Sequence, residues 1–368
     1  MASLQAFVTG ASGLVGLNLT RYLATRGVRV RAFVRPVSEM SGLQEIARAY
    51  PEYVSVVVGD LLDDDSLSAN MQGCDVVVHT AAVIDAFGDP DYLHKVNVHG
   101  TESTIRASIR ARVKQFIHIS SLAVIMGEHD QYAVCEDAPL ISCRETYANS
   151  KVAAEKLVRE YFYTDDINIT ILRPGFIYGP TEKAWLPRLI SAIENGRALI
   201  VGDGSKETNV IYVENLCRAI ELSINNPVAY GRVYNLTDGQ KISKRQLFET
   251  VARELNLPPV ARSIPYSMAR LLIETSSIAA RVGPLKWRER LARYSRPAFR
   301  LAALNQGFDI SRAERELGYT DGIRISFAEG MRRTLQEVKE KRAARHLSPR
   351  RAELKRNNAN AAAAGAQL

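Results

Sequence analysis

The sequence has few cysteines and no long apolar run, and both absences narrow its class. Only four cysteines occur among 368 residues, without CxxC spacing, so we expect them to be reduced and not to form a disulfide scaffold. No stretch of about 18 apolar residues is present, which argues against a transmembrane helix. A glycine motif begins within the first ten residues, which leaves no room for a signal peptide. We therefore expect a cytoplasmic protein.

The net charge of +8 is concentrated at the carboxyl end. Over residues 331–368, ten lysines and arginines stand against three glutamates, so the remaining chain is close to neutral. Basic tails of this kind are more often solvated than specific for RNA or DNA, and we expect no specific nucleic-acid partner. Residues 336–368 are basic and rich in alanine, and we predict that this tail is largely disordered.

Short apolar runs rich in β-branched residues alternate with segments of helical spacing through the first half. Each run is nearly continuously apolar, as strands covered on both faces are. The predicted strands are 5–9, 28–34, 54–58, 76–80, 115–120 and 168–173. This alternation predicts an α/β fold with a doubly wound parallel Rossmann sheet.

A glycine motif follows the first predicted strand directly. Residues 9–16 read TGASGLVG, which has the form TGxxGxxG and precedes a segment with helical apolar spacing. Glycines permit a tight turn and let the backbone approach a pyrophosphate, whose charge is favoured by the free amides at a helix start. An ordinary strand-to-helix turn is the alternative, but this context favours a dinucleotide. The predicted cofactor contacts in the motif are Thr9, Gly10, Ser12, Gly13, Leu14, Val15 and Gly16.

Two further strand ends bear on the choice of cofactor. NAD-binding folds often place an acidic residue after the second strand, where it hydrogen-bonds the ribose 2′-hydroxyl. Arg35 occupies that place here, and a guanidinium attracts a 2′-phosphate, so NADP (NADPH) is favoured over NAD. An ordinary surface arginine is the alternative. After the third strand, Asp60 and Leu61 are predicted to lie at the adenine, although Asp60 is also a candidate helix N-cap.

One nonapeptide carries the residues expected for proton transfer. Residues 147–155 read YANSKVAAE and are predicted to be helical, so Tyr147 and Lys151 project from one face. A free tyrosine titrates near about 10, and we expect the adjacent ammonium to favour the phenolate and lower that pKa. The pair is then suited to general acid and base catalysis. A bare YxxxK pattern is common by chance, so the assignment of this pair to catalysis depends on the neighbouring motifs.

Several other strings accompany this pair. A predicted strand ends in Ser120 and Ser121. The other strings are HTAA at 79–82, NVHGT at 97–101 and RPGFIYGP at 173–180. From about residue 5 to 335, the chain resembles the extended short-chain dehydrogenase/reductase superfamily. The resemblance implies that Tyr147 is the acid/base, that Lys151 is its electrostatic partner and a ribose contact, and that Ser121 polarises the substrate oxygen. Ser120 competes for that role because the strand end can shift by one residue.

The same resemblance implies further residues near the cofactor. Thr80, Ala81 and Ala82 would contact it, with the two alanines close to the ribose, and Asn97 would support the site through its helix. The remaining implied contacts are Pro174, Phe176 and Ile177, the last two near the nicotinamide. No cluster has metal-ligand spacing, so we expect no metal, and we interpret His79 and His118 as packing residues.

The domain boundaries follow from a change of pattern after residue 173. The alternation becomes less regular there, with glycine and proline turns at 179–180, 202–204 and 258–259. We predict an NADP-binding Rossmann domain over 1–175, rejoined by about 209–240. A smaller C-terminal substrate-binding lobe is predicted over 176–208 and 241–335, before the tail at 336–368.

Three further strings indicate a branch of the superfamily. GDGS at 202–205, VIYVENL at 210–216 and YNLTD at 234–238 are similar to the 3β-hydroxysteroid and sterol-4-carboxylate dehydrogenases, a branch that also contains β-keto-acid reductases. The similarity implies an oxidoreductase that interconverts a hydroxyl and a keto group on an apolar, sterol-like or β-keto acid substrate. A nucleotide-sugar epimerase or dehydratase with recycled NAD(P), and a non-catalytic NADP-binding protein, are the alternatives.

Residues 265–300 raise the question of a membrane contact. Apolar residues such as Leu271 and Leu272 are interleaved there with eight lysines and arginines. An amphipathic helix pair packed on the core is favoured, and peripheral contact with an anionic membrane stays open. The resemblance also implies a homodimer, because the family often pairs through a four-helix interface.

Overall fold

Strands and helices alternate through most of the chain. The computed structural model describes residues 4–84, 89–143, 145–164, 166–272, 275, 296–340 and 342. The strands are β1 Gln5–Thr9, β2 Arg29–Val34, β3 Val54–Val58, β4 Val76–His79, β5 Gln115–Ile119, β6 Gln131–Val134, β7 Asn168–Pro174, β8 Phe176–Tyr178, β9 Ile200–Val201, β10 Glu207–Thr208, β11 Val210–Tyr212, β12 Arg232–Leu236, β13 Ile242–Ser243, β14 Ser263–Ile264 and β15 Gln306–Phe308. The first nine helices are α1 Leu14–Ala24, α2 Ser41–Ala49, α3 Asp64–Met71, α4 Pro90–His94, α5 Gly100–Arg110, α6 Thr146–Glu160, α7 Leu186–Glu194, α8 Val213–Ser223 and α9 Lys244–Glu254. Further helical residues are 266–272, Arg296–Ala303, Ser311–Leu317 and 327–340, and a π-helical turn spans Lys95–His99.

Seven parallel strands form one sheet in the order β12-β7-β5-β4-β1-β2-β3. The chain runs outward from β1 to β3 and then returns to the other side of β1 with β4, so the sheet is doubly wound. All residues of β4 and β5 are buried, which explains why their sequences are nearly continuously apolar. The expected α/β Rossmann fold is confirmed.

Helices cover both faces of this sheet. One buried cluster joins Leu19 and Leu23 of α1 and Ile220 of α8 to one face, and a second joins Leu67 of α3 and Ile105 of α5 to the other. The two clusters place the sheet in the middle of a three-layer arrangement. The carboxyl ends of the strands therefore open at one edge, where a ligand can lie.

The strand ends differ slightly from the predicted bounds. β1 and β3 begin and end at the predicted residues, whereas β2 begins at Arg29, one residue late. β4 ends at His79 and β5 at Ile119, one residue early in each case, while β7 continues to Pro174. The early end of β5 leaves Ser120 and Ser121 in the loop that follows the strand.

A third apolar cluster lies beyond the sheet. It includes Tyr178, Ile190 of α7, Val251 of α9 and Met331 of the 327–340 helix. Between the segments that form this cluster, the chain returns to the sheet, where β12 pairs with β7 at the sheet edge. The predicted domain boundaries stay predictions, and most of the predicted tail lies outside the described residues, although 336–340 continue a helix.

None of the helices within the described residues is long and apolar enough to cross a membrane. The proposed membrane-facing segment at 265–300 lies largely outside the described residues. In its described part, Leu271 and Leu272 are 62% and 43% exposed.

Candidate active site

The glycine motif forms the tight turn between β1 and α1. Gly10 has φ +65°, and a Cβ there would lie 2.7 Å from the Ala81 Cα, so the turn passes directly against the end of β4. A Cβ on Gly16 would lie 2.3 Å from the Gly10 carbonyl oxygen, so only glycine lets α1 begin this close to the turn. Gly13, at the start of α1, brings no capping side chain, which leaves the first amides of the helix available to an anion.

A cavity of about 460 Å³ opens at the carboxyl ends of the central strands, beside this turn. Ligands of open α/β sheets bind in this position. The predicted site residues that line it are Gly10, Ser12, Gly13, Leu14, Val15, Gly16, Arg35, Leu61, Thr80, Ala81, Ala82, Ser121, Tyr147, Pro174, Phe176 and Ile177. The glycine turn and the free helix start therefore meet one cavity, and these residues fit a bound dinucleotide.

Two predicted contacts stand behind or beside the cavity wall. The Thr9 hydroxyl bonds to Nδ1 of His79 at 2.9 Å and accepts from the Ala81 amide, so it supports the turn from behind. Asp60 is exposed and accepts from the Leu62 amide at 3.0 Å. The interpretation of Asp60 as a helix N-cap is wrong, because Asp63 caps α3 by accepting from the Ser66 amide.

Asn97 also lies outside the cavity lining, and it supports the lining from behind. Its side chain accepts from the Val83 amide at 2.8 Å and donates to the Val83 carbonyl at 3.1 Å. It donates as well to the Ser150 hydroxyl of α6 at 2.9 Å. Asn97 sits in the π-helical turn, a geometry that is frequent at functional sites. The residue thus joins the segment after β4 to the helix that carries Tyr147.

Arg35 lies at the far end of the cavity, after β2. Its guanidinium is exposed and donates to the hydroxyl of Tyr92 in α4 at 3.2 Å. Ser38, which sequence reasoning missed, lines the same part of the cavity and donates its amide to the Arg35 carbonyl. Glu145 and Glu182, which also line the cavity, come from the segments before α6 and α7.

The two serines after β5 have different partners. Ser120 is buried and donates its hydroxyl to Glu155 at 2.6 Å. The Ser121 hydroxyl accepts from the Ala123 amide and forms a side-chain hydrogen bond with Tyr147. Since the Ser120 hydroxyl is engaged elsewhere, Ser121 is the serine that stands with the phenol.

The expected lowering of the Tyr147 pKa is wrong for the chain by itself. Burial raises the pKa of Tyr147 to about 12, and the hydrogen bond with Ser121 only partly opposes this. Lys151 lies behind the cavity wall, where its ammonium donates to the Ile119 carbonyl at 2.8 Å. Burial also lowers the pKa of Lys151 to about 8. The lysine is therefore tied to the strand end, and burial of the phenol dominates the pKa of Tyr147.

No sequence motif indicated the opposite wall of the cavity. That wall includes Met126, Trp185 and Leu301, which come from distant segments without a shared motif. Trp185 donates its indole N–H to the Ile177 carbonyl at 2.9 Å, so the ring is fixed beside the β8 segment. Glu182 accepts from the Trp185 amide at 3.0 Å and holds the loop before α7. The surface of the cavity as a whole is mainly apolar.

The fold and the cavity define an NAD(P)-dependent oxidoreductase of the extended short-chain dehydrogenase type. The chain belongs to the NAD dependent epimerase/dehydratase family, whose model matches residues 6–237.

Individual relatives extend along nearly the whole chain. It is 32% identical over 333 residues to a 4-hydroxy-2-methyl-3-oxo-4-farnesyl-3,4-dihydroquinoline-1-oxide ketoreductase of Stigmatella aurantiaca, covering 89% of this chain and 95% of the relative. It is 30% identical over 335 residues to a 3 beta-hydroxysteroid dehydrogenase/Delta 5-->4-isomerase of Mycobacterium tuberculosis, covering 86% and 85%. The dTDP-glucose 4,6-dehydratase DesIV of Streptomyces venezuelae, solved with NAD and TYD bound, has a TM-score of 0.72 at 22% identity, covering 92% and 98%, and shows the shared fold.

Proposed function

We propose that this protein is an NADPH-dependent reductase that converts a keto group on an apolar, sterol-like or β-keto acid substrate to a hydroxyl. The observation that carries the proposal is the cavity itself, which is lined by Arg35 after β2 and by a Ser121–Tyr147 pair among apolar residues. The printed activities of the two relatives, a ketoreductase and a hydroxysteroid dehydrogenase, support the same reaction.

The residues around the glycine turn would hold the cofactor. The free amides at the start of α1 favour the pyrophosphate, and Arg35 with Ser38 provides a charge and a hydroxyl suited to a 2′-phosphate. Ala81, Ala82 and Leu61 are small or apolar enough to let the ribose and adenine pass. When bound, the nicotinamide supplies the hydride equivalent for the reaction.

The chain's own residues would handle the substrate oxygen and its proton. Ser121 and Tyr147 form one hydrogen-bonded pair, so a keto oxygen placed between them would be oriented by both hydroxyls. A phenol with a raised pKa is protonated at neutral pH, which is the form that donates a proton during reduction. The positive charge of Lys151, one helical turn along α6, would then stabilise the phenolate that remains.

The first test compares the two nicotinamide cofactors. Fluorescence titration of the wild type should give tighter binding of NADPH than of NADH. Arg35→Asp should weaken NADPH binding by about tenfold or more, because a charged hydrogen bond is replaced by repulsion. Arg48→Asp, an exposed arginine of α2 outside the cavity lining, is the matched control and should leave both affinities unchanged. Equal affinities in all three proteins would refute the NADP proposal.

A second test separates reduction from the epimerase alternative. Purified protein would be supplied with NADPH and with 3-keto steroids or β-keto acids, and cofactor oxidation would be followed at 340 nm. Net oxidation that needs added NADPH supports the reductase. A cofactor that copurifies and never exchanges, with conversion of a nucleotide sugar, would overturn the proposal in favour of the epimerase or dehydratase.

A further inference from the structure

Three side chains on one face of α6 meet three consecutive residues at the end of β5. Tyr147, Lys151 and Glu155 are spaced four residues apart, so they lie in a row along the helix. The pairs are Tyr147 with the Ser121 hydroxyl, Lys151 with the Ile119 carbonyl at 2.8 Å and Glu155 with the Ser120 hydroxyl at 2.6 Å. The third pair, Glu155 with Ser120, is buried and has no part in the expected chemistry.

Glu155 is an ionised carboxylate in a fully buried place. Arg173 of β7, also fully buried, donates from Nη2 to its Oε1 at 2.6 Å and from Nε to its Oε2 at 3.0 Å. Arg159, 37% exposed, donates to the same Oε1 at 2.9 Å. Although burial opposes it, the Arg173 guanidinium holds the pKa of Glu155 below its usual value. The carboxylate therefore joins α6, β5 and β7 at one point.

This point is connected to the cavity on both sides. β7 ends at Pro174 and β8 begins at Phe176, and both of these residues line the cavity. On the other side, Ser120 directly precedes Ser121. A shift of Glu155 would therefore move α6 relative to both the serine and the segment expected at the nicotinamide. The geometry of the proton donor depends on these distances.

The charge of Glu155 also acts on Lys151. Burial lowers the pKa of Lys151 to about 8, and the Glu155 carboxylate opposes this and raises it. The other titratable groups facing the lysine are His79 of β4 and His118 of β5, and both are neutral, because burial lowers the pKa of His79 to about 3 and that of His118 well below its usual value. Tyr147 is protonated, so Glu155 supplies the negative charge in this group.

We propose that Glu155 is a positioning residue, which holds α6 in register with the Ser120–Ser121 loop and keeps Lys151 in its ammonium form during the reaction. The proposal rests on the proposed reductase function, since Lys151 is assigned its role there. Its direct readout, the protonation of Lys151, does not depend on any substrate.

The test is a ¹³C NMR titration of lysine side chains in the full chain, with the Lys151 signal assigned by Lys151→Arg. Glu155→Gln keeps the shape of the side chain and removes its charge, so the Lys151 titration midpoint should fall by about 1 pH unit. Glu136→Gln is the matched control, since Glu136 is a buried carboxylate of the same region that accepts from the Asn235 amide. It should leave the Lys151 midpoint unchanged.

A second variant keeps the proposal testable if Glu155→Gln does not fold. Arg159→Gln removes a partly exposed cation beside Glu155, so the Lys151 midpoint should rise by a few tenths of a pH unit. In ketone reduction, the loss of kcat at high pH should move in the same direction as the midpoint in each variant. A Lys151 midpoint that stays within about 0.1 unit of the wild-type value in Glu155→Gln, or in Arg159→Gln if Glu155→Gln does not fold, would overturn the proposal. If no ketone is reduced at all, the proposed function fails while the NMR result still decides the role of Glu155.

Discussion

Removal of the Asn97 amide should loosen the cavity wall without touching the reacting groups. Asn97 makes three hydrogen bonds, two to the backbone of Val83 and one to the Ser150 hydroxyl. Asn97→Ala would leave the Val83 amide and carbonyl without these partners. Val83 lines the cavity, and Ser150 belongs to α6, so both sides of the site would lose one shared support.

The structure sets the size of this effect. A buried hydrogen bond contributes on the order of 1 kcal/mol net, and Val83 is only partly buried, so water can replace some of the loss. Ser150 keeps its own donor bond to the Tyr147 carbonyl at 2.7 Å. We therefore expect the free energy of unfolding to fall by about 2 to 3 kcal/mol, a decrease in melting temperature of about 3 to 4 °C.

Thermal unfolding and NADPH titration would be measured together. Asn97→Ala should lower the melting temperature and weaken NADPH binding, whereas Asn70→Ala is the control. Asn70 donates to the Ser66 carbonyl at 2.8 Å within its own helical segment and stands away from the cavity, so its loss should cost about 0.5 kcal/mol. Equal effects of the two substitutions on stability, with unchanged cofactor affinity in both, would refute the reasoning.

Three further predictions concern single positions. Tyr147→Phe should lower kcat for ketone reduction by about 10²- to 10⁴-fold while NADPH affinity, from fluorescence titration, stays within about twofold; an active variant would contradict this. Gly16→Ala would place a Cβ 2.3 Å from the Gly10 carbonyl oxygen, so circular dichroism and NADPH titration should show a weakened fold and site, unlike Gly42→Ala, whose Cβ meets only a leucine methyl at 3.3 Å. Burial lowers the pKa of Lys244 from 10.5 to about 7, so the unfolded chain binds more protons between these values and stability should rise with pH across that window. Urea unfolding at pH 7 and pH 9.5 should show a smaller rise for Lys244→Met, and an equal rise would count against this account.

The sequence was most informative where backbone chemistry leaves few choices. The glycine turn at 9–16 and the buried strand β1 lie where their residue types predict, because only glycine fits Gly10 and Gly16 and apolar residues fit a strand covered on both faces. The helix bearing Tyr147 and Lys151 was also predicted from its spacing and is observed as α6.

The remaining features depend on contacts between distant segments. The choice between Ser120 and Ser121 follows from the position of Glu155, and the raised pKa of Tyr147 follows from packing around the phenol. The wall formed by Met126 and Trp185 joins segments that no local pattern relates. The homodimer, the membrane contact and the disorder of the basic tail stay predictions.

The position of β12 has a consequence for synthesis of the chain. Until Arg232–Leu236 leaves the ribosome, β7 is the outermost strand on its side of the sheet, with its backbone donors and acceptors open on one edge. The residues between β7 and β12 must therefore be made, and must begin to fold, while a long apolar strand is still available to pair with another chain. We expect nascent chains halted before Arg232 to recruit chaperones or aggregate, and chains halted after Leu236 to become soluble as that edge closes.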